Sequence, residues 1–425
     1  MQPAFDTELS VAGLHLSWAT KLALIVAWSF ASAAWLRCCC SSRTGWLQLA
    51  ATLPLFAANA AAPLLFSTGL AGSSLEGDLV EVAGGEPVSR AFTAFLLTWL
   101  ANFKAVAAAV NRGPLAQQPW TVMQYWALYC LPLVPSAGPT RRKLRRAHHD
   151  SPGSSAELLL RWLLKAAVTA AVVFALLLPG IPPFFKTCLY CVGLYTMLGV
   201  VMDGPAALLL RPLRLSLAPH FLPPWDAPSL AAFWGTHWNQ AASNALRTTL
   251  YEPIVQGSLL SPASPAGHAA SPAAKHRRRS ARLAAATAAG AAAAAGAAER
   301  EISETRRVVG MAACFLASGA VHELIFWYVQ GSCTRHLSWL WFFTGQAPLI
   351  LLERVLLRKL RKLGLAPPEM LRIVATLGVL LASAHWLFFL PAEAAGVPAR
   401  FAESMRHSFA ALATAPATLL ASVRQ

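Results

Sequence analysis

The stretch VVGMAACFLASGAVHELIFWYV, residues Val308–Val329, decides the fold of this chain. It is apolar throughout except for His322 and Glu323, and about 20 apolar residues at a rise of about 1.5 Å each cross the hydrocarbon core of a bilayer. The stretch therefore predicts a membrane-spanning helix. Ionisable side chains at that depth are costly and by default mark functional sites, so both residues are candidates. The competing interpretation is a histidine that only hydrogen-bonds to a neighbouring helix.

The composition extends this prediction to the whole chain. Of the 425 residues, 56% are hydrophobic and only 13% are charged, whereas soluble domains carry about 25% charged residues. A soluble fold is thereby excluded. The composition predicts an all-α, polytopic transmembrane bundle, with residues 1–425 forming a single membrane-embedded domain.

Apolar segments locate the individual spans. Residues 120–135 are apolar too, but they are short and closed by prolines, so an interfacial or re-entrant segment is a better interpretation than a span. A weak further segment at 408–422 makes eight or nine spans in all. The eight predicted spans lie near residues 14–36, 46–70, 90–110, 156–178, 184–210, 307–329, 337–353 and 370–390.

The net charge of +16 comes from short basic blocks between the spans. Three such blocks lie at 141–146, 275–282 and 354–362, whereas an acidic cluster lies at 76–86. If 120–135 does not cross, all basic blocks fall on one side, as the positive-inside rule requires of the cytosolic side. The chain then begins on the opposite side. The charge thus indicates membrane topology and contact with anionic lipid, not a nucleic-acid partner.

The eight cysteines do not form a disulfide framework, because most lie in or beside apolar segments. Cys188 and Cys191 make a CxxC pair, but no second pair accompanies it, which argues against a metal or redox site. The run Cys38–Cys40 follows the first span beside Arg37. It either carries palmitate or consists of three unmodified thiols.

A second polar region precedes the longest loop. Residues 257–300 are of low complexity and predict a disordered cytosolic insertion. Before them stands SLAAFWGTHWNQAASNALRTTLYEPI, which begins at Ser229. Its Trp234 and Trp238 suit a membrane interface, and there Asn239 would present its amide to a site opening on the cytosolic side. An interfacial helix without a catalytic part is the alternative.

Asn239 within FWGTHWN, followed by His322 within SGAVHELIFWY, resembles the signature pair of the membrane-bound O-acyltransferases. The resemblance is closer to the plant and algal wax synthases, which are long-chain-alcohol O-fatty-acyltransferases. Three stretches in the family's order carry it, and together with the hydrophobic profile it covers most of residues 10–390. The three stretches are LTWLANFKAVAAAVNRGPL (97–115), DAPSLAAFWGTHWNQ (226–240) and VHELIFWY (321–328).

The chain departs from the family pattern at two points. Thr236 and His237 stand where family members usually carry arginines, which puts contacts to the phosphates of the acyl donor in doubt. The separation of Asn239 and His322 is also longer than expected in the branch, and the low-complexity insertion accounts for the excess.

The resemblance implies transfer of a fatty acyl group from acyl-CoA to the hydroxyl of a long-chain alcohol, which forms a wax ester. His322 is then the general base, because a positioned imidazole takes the proton of the attacking hydroxyl. Asn239 orients the donor or hydrogen-bonds near the thioester. The predicted compartment is the endoplasmic reticulum membrane. Acyl-CoA is a co-substrate, and neither a metal nor a bound cofactor is implied.

Four further residues complete the predicted site as substrate-binding residues: Trp234, His237, Trp238 and Glu323. Of these, Glu323 lies about 100° around the helix axis from His322, so it cannot share the face of His322 and is free to pair with a neighbouring span.

Three other functions remain open at this point. A sterol or diacylglycerol acceptor is compatible with the same Asn239 and His322, since neither residue reads the shape of the acceptor. A transporter could use His322 and Glu323 as a proton relay, although the inverted repeat that such folds often contain is not visible in the sequence. An inactive scaffold would explain the change at Thr236 and His237.

Overall fold

The computed structural model describes residues 16–42, 45–72, 79–81, 85–117, 119–136, 155–261 and 304–406. The basic block at 141–146 and the weak segment at 408–422 lie outside the described residues. The low-complexity stretch 257–300 also lies outside them from residue 262 onward.

Within the described residues, eight helices are long and apolar enough to cross a membrane, and each coincides with one of the eight predicted spans. The all-α polytopic bundle is thereby confirmed, and the chain is a multi-pass membrane protein. The eight spans are Trp18–Cys39, Trp46–Leu65, Pro87–Ala116, Ala156–Leu176, Pro183–Leu209, Glu304–Gln330, Arg335–Lys362 and Glu369–Ala394.

Sixteen α-helices with the bounds given below, four π-helical segments and one short hairpin build most of the described part of the chain. Some spans consist of several of these pieces. The first eight helices are α1 Trp18–Ser42, α2 Trp46–Ala61, α3 Pro87–Thr93, α4 Asn102–Ala109, α5 Gly113–Gln117, α6 Val122–Cys130, α7 Ser155–Leu176 and α8 Pro183–Leu209. The others are α9 Leu230–Ala232, α10 Gln240–Leu246, α11 Glu252–Gln256, α12 Glu304–Gln330, α13 Ser338–Thr344, α14 Gln346–Lys362, α15 Glu369–Ala384 and α16 Leu390–Ala394. The hairpin pairs strands β1 Leu70–Gly72 and β2 Leu79–Glu81 in antiparallel register.

Hydrogen bonds between chain segments group the span ends into two sets. On one side, the amide of Gly45 donates to the carbonyl of Ala109, and Arg112 donates to the carbonyls of Ser258 and Leu259. These are the loops that the charge pattern places in the cytosol.

The opposite ends of the spans form the second set. The Nζ of Lys21 lies 2.6 Å from a carboxylate oxygen of Glu86, and the guanidinium of Arg400 donates to the carbonyl of Thr68. The grouping agrees with the two-sided arrangement that positive-inside topology predicts.

The segment predicted not to cross forms α6, whose nine residues are too few to span a bilayer. A capping box of Thr121 and Gln124 begins it. At its other end, the buried ammonium of Lys104 donates to the carbonyls of Leu128 and Leu131, at 2.7 and 2.5 Å. Backbone that leaves a helix at membrane depth is tolerated when such partners satisfy it inside the protein, so α6 resembles a re-entrant element.

Four segments of the described chain widen into π-helix, a form that accounts for well under 1% of residues in proteins and is frequent at functional sites. They are Ala94–Ala101, Phe233–His237, Arg247–Tyr251 and His385–Phe389. Each of the four contributes at least one side chain to the lining of a single large cavity. The four π-helical segments therefore all border the same cavity.

Candidate active site

The cavity has a volume of about 2020 Å³ and lies among the membrane-spanning helices. Pockets for small molecules commonly measure about 300–1,000 Å³, so this one has room for more than a compact ligand. Both residues of the predicted catalytic pair, Asn239 and His322, line it. The fold thus brings together two polar side chains that the sequence separates by the long loop.

His322 lies on α12, about 27 Å along the helix from its first residue and about 12 Å from its last. Its Nδ1 donates to the carbonyl of Ser318, one turn earlier, at 2.6 Å. A neutral imidazole that donates through one ring nitrogen carries its lone pair on the other. The helix backbone therefore selects the tautomer in which Nε2 is the proton acceptor.

Aromatic rings surround the imidazole. Phe343 stacks on it with a centroid separation of 3.9 Å, and Trp99 meets it edge-on at 5.0 Å. Trp339 and Phe388, stacked on each other at 4.2 Å, each lie 6.3 Å from it. We call these four rings the aromatic collar. All four line the cavity, so the imidazole is held between flat apolar walls.

Asn239 lies directly before α10 and caps it. Its backbone adopts the left-handed conformation, with φ of 39°, which asparagine tolerates better than most residues. Its Oδ1 accepts a hydrogen bond from the amide of Ala242 at 3.1 Å. With the oxygen engaged in the cap, the Nδ2 amino group is the part of the side chain available as a hydrogen-bond donor.

The loop motif divides into residues that line the cavity and residues that do not. Trp234 and Trp238 line it, and the indole of Trp234 donates to the side chain of Gln346 at 3.1 Å. His237 does not line it, because its Nδ1 contacts the carbonyl of Pro223 at 2.8 Å. Thr236 likewise points back to its own helix, where it donates to the carbonyl of Ala232.

Glu323 lies outside the cavity lining, and its side chain is only 5% exposed. Its carboxylate accepts hydrogen bonds from the amides of Thr334, Trp339 and Leu340 at 2.9–3.1 Å, and from the hydroxyl of Thr334. Glu323 thus pairs with the next span, as expected from its position on a different face of the helix from His322. Because α13 carries Trp339 and Phe343, Glu323 supports the aromatic collar and has no surface left for a substrate.

The motif around WLANFK has a structural role, which could not be predicted from the sequence. Asn102 accepts a hydrogen bond from Asn59 at 2.8 Å, and Asn59 also donates to the hydroxyl of Tyr129. Together with the contacts of Lys104, these bonds tie α2, α4 and α6 together. Among the motif's residues, Trp99 lines the cavity and touches the imidazole.

Sequence reasoning missed the basic side chains that face the cavity. Lys165 lies deep within an apolar span, a position that signals function by itself and that the loop-based reading of the charges overlooked. Three of the arginines lie toward the ends of their spans and Arg247 lies between spans, so a charge at these positions is ordinary. The basic residues of the cavity lining are Arg161, Lys165, Arg247, Arg307 and Arg354.

The described residues contain no cluster of three His, Cys, Asp or Glu side chains suited to a metal ion. The other histidine within a span, His385, does not line the cavity and lies with its Nδ1 2.8 Å from the hydroxyl of Thr187.

No family model matches the chain. Its sequence is, however, similar to those of several plant enzymes. A probable long-chain-alcohol O-fatty-acyltransferase of Arabidopsis thaliana is 28% identical over 307 residues, which cover 71% of this chain and 74% of the relative. An acyl-CoA–sterol O-acyltransferase of the same plant is 27% identical, over 70% of this chain and 73% of the relative. The long-chain-alcohol O-fatty-acyltransferase of Simmondsia chinensis is 30% identical over a shorter stretch, 38% of this chain and 46% of the relative.

The alignments with three relatives named for long-chain alcohols cover 70–73% of this chain. This similarity agrees with the eight spans and with the cavity that both Asn239 and His322 line. The chain is thus similar to the plant long-chain-alcohol O-fatty-acyltransferases, in agreement with the resemblance that its motifs predict.

Proposed function

We propose that this protein transfers a fatty acyl group from acyl-CoA to the hydroxyl of a long-chain alcohol, forming a wax ester, with His322 as the general base. The observation that carries the proposal is that His322 and Asn239 line one lipid-sized cavity, with Nδ1 of His322 fixed by a backbone carbonyl. The protein acts, in this proposal, in the membrane of the endoplasmic reticulum.

The reaction follows from the free groups of the two residues. The hydroxyl of the alcohol donates to Nε2 of His322, which takes the proton as the oxygen attacks the thioester carbonyl. The carbonyl oxygen becomes an oxyanion, and the Nδ2 group of Asn239 donates to it. Collapse of the tetrahedral intermediate breaks the carbon–sulfur bond, and the proton on Nε2 passes to the departing CoA thiolate. No covalent enzyme intermediate is required.

The cations of the cavity lining suit the donor. Arg307 lies near the cytosolic start of α12, and Arg354 lies on α14. Guanidinium groups pair well with phosphates, and acyl-CoA carries its phosphates at the end remote from the thioester. These arginines substitute, in the proposal, for those that the loop motif lacks at Thr236 and His237.

The expected effect is on substrate affinity. Arg307→Ala and Arg354→Ala should each raise the KM for acyl-CoA roughly two- to fivefold, since an exposed ion pair contributes up to about 1 kcal/mol. Initial rates in isolated membranes over a range of acyl-CoA concentrations measure this. Arg358→Ala is the matched control, because Arg358 lies on the same helix but outside the cavity lining. An unchanged KM in both variants would contradict this part of the proposal.

A sterol acceptor is the second candidate. A relative named as an acyl-CoA–sterol O-acyltransferase matches this chain at almost the same identity as the relatives named for long-chain alcohols. The catalytic chemistry is the same for either hydroxyl, so the choice depends on the shape of the cavity and must be made by experiment.

The deciding experiment uses membranes from a host that lacks neutral-lipid synthesis. Labelled palmitoyl-CoA is supplied with a fatty alcohol, a sterol or diacylglycerol in turn. We expect labelled wax ester from the wild type and a rate at least about 10²-fold lower from His322→Ala. His385→Ala, a histidine of another span that lies outside the cavity lining, should retain wild-type activity at matched expression.

Three outcomes redirect the proposal. Product from the sterol alone keeps the mechanism and changes the acceptor. Equal activity in wild type and His322→Ala removes the general base. No ester with any acceptor returns the chain to the scaffold or transporter interpretation.

A further inference from the structure

A second cluster of ionisable side chains lies beside the proposed catalytic pair. Lys165 on α7 and Asp203 on α8 form an ion pair with Nζ and Oδ2 2.5 Å apart. His220, in the loop that follows α8, places Nδ1 2.8 Å from the other carboxylate oxygen of Asp203 and is only 3% exposed. Charges within spans are costly and need an explanation beyond packing.

His220 is held on one side only. Its Nε2 is buried and has no hydrogen-bond partner among the described residues. An unpaired buried nitrogen is destabilising, and an apolar side chain at this position would avoid that cost. We therefore expect the contact of Nδ1 with Asp203 to serve a function that justifies a buried histidine at this position.

The backbone around His220 is joined to the loop that carries Asn239. The carbonyl of His220 accepts from the amide of Gln240 at 2.8 Å, and the amide of Leu222 donates to the carbonyl of His237 at 3.1 Å. These two bonds lie on either side of Asn239 in the sequence. They fix both ends of a residue whose backbone is left-handed.

Side chains reinforce the same junction. The ring of Phe221 meets Trp238 edge-on at 5.3 Å. The ammonium of Lys165 lies 5.5 Å from the centre of the Phe221 ring, within the range of a cation–π contact. The segment 220–222 is thus attached to α7 and α8 on one side and to the Asn239 loop on the other.

We propose that Asp203 and His220 are positioning residues, which hold the amide of Asn239 at the place where the oxyanion forms. Neither touches the substrate in this scheme. Asp203 fixes the ring of His220, and His220 fixes the loop through its backbone. The inference rests on the proposed acyl transfer, because it assigns the two residues to that reaction.

The kinetic test compares His220→Leu with His220→Asn. Asparagine places a donor nitrogen close to where Nδ1 was and keeps the contact to Asp203, whereas leucine removes it. We expect His220→Leu to lower kcat by about 10²-fold, the effect of a displacement of about 1 Å at a reacting centre. The KM for acyl-CoA should remain near the wild-type value, and His220→Asn should recover most of kcat.

Two further comparisons separate positioning from general stability. In an Asn239→Ala background, His220→Leu should cause little additional loss, because the amide it positions is already absent. Glu393→Gln is the matched control. It weakens the ion pair between Glu393 on α16 and Lys186, which lies near the start of α8, at the end of that helix remote from His220. This variant should leave kcat unchanged.

A spin label provides a readout that does not depend on activity. Gly235 lies in the π-helical segment that leads to Asn239, and a Cβ there would meet no atom within 4 Å. With the native cysteines replaced, a label on Gly235→Cys should become more mobile in His220→Leu and stay as in the parent in His220→Asn. This mobility pattern together with an unlabelled wild type that makes no ester would refute the acyl transfer but support the loop attachment. Unchanged kcat and unchanged mobility in His220→Leu, or equal impairment of both variants, would overturn the inference.

Discussion

At the scale of single residues, each of the two proposed catalytic side chains uses one of its two polar atoms in a hydrogen bond to the backbone. Nδ1 of His322 donates to a carbonyl and Oδ1 of Asn239 accepts from an amide, so each side chain presents one defined group to the cavity. Such preorganisation removes the need to reorient a polar group as charge develops. The sequence was sufficient to propose both residues as candidates. Their free atoms were not predictable, because these depend on local backbone geometry.

This division of Asn239 leads to a prediction for Asn239→Asp. Aspartate keeps the oxygen that caps α10 and tolerates the left-handed backbone, but it loses the amino group. We expect normal expression and thermal stability, with kcat lower by about 10²- to 10³-fold, as for loss of an oxyanion donor. Ester synthesis in membranes, together with the melting temperature of the purified protein, measures both. A variant with wild-type kcat would show that the amino group takes no part.

At the scale of helices, Glu323 determines how α13 packs against α12. Its carboxylate accepts from the amides of Trp339 and Leu340 in the first turn of α13, which have no helical partner of their own, and from the amide of Thr334 in the segment before that helix. The aromatic collar depends on this arrangement, since two of its rings stand on α13. A residue that the sequence suggested for substrate contact thus supports the site from behind.

Glu323→Ala is therefore expected to lower stability before it affects chemistry. Each amide left without a partner costs about 1–3 kcal/mol, so the melting temperature in detergent should fall clearly. Glu323→Gln, which keeps one acceptor oxygen, should fall less. The control is Glu393→Ala, at a carboxylate that is about a third exposed and whose loss should have a small effect. Equal melting temperatures for Glu323→Ala and the control would contradict the capping role.

Sequence patterns predicted the elements better than their irregularities. The eight spans and the short α6 follow from hydropathy, length and proline placement, which act locally. The four π-helical segments and the attachment of His220 to the Asn239 loop do not, because they arise from contacts between distant segments. Lys165 and Asp203 were visible as charges within apolar stretches, yet only the fold pairs them.

At the scale of the whole molecule, the cavity extends from the basic residues near the start of α12 to side chains beyond α16. Phe401 and Met405 line it there, in a segment that Arg400 fastens to the carbonyl of Thr68. That segment belongs to the side opposite the basic loops. The cavity therefore has a charged end and an apolar end, with His322 between them.

The apolar end should set the length of fatty chain that the protein accepts. Phe401→Ala should shift the preference to longer chains and Ala402→Phe to shorter ones, by up to about 0.8 kcal/mol for each methylene accommodated or excluded. Two competition assays show which substrate's chain lies in the apolar end of the cavity. One uses a series of acyl-CoAs with a fixed alcohol, and the other uses a series of alcohols with a fixed acyl-CoA. If neither series shifts in either variant, this end of the cavity does not hold a fatty chain.

The aromatic collar has a consequence for which product is formed. Any nucleophile at Nε2 of His322 is activated, and water is far more abundant in a cell than a long-chain alcohol. The four flat rings of the aromatic collar offer a water molecule few partners for its hydrogen bonds, whereas the alcohol brings an alkyl chain that those rings can contact. The same rings that hold the base thus favour ester synthesis over wasteful hydrolysis of the thioester.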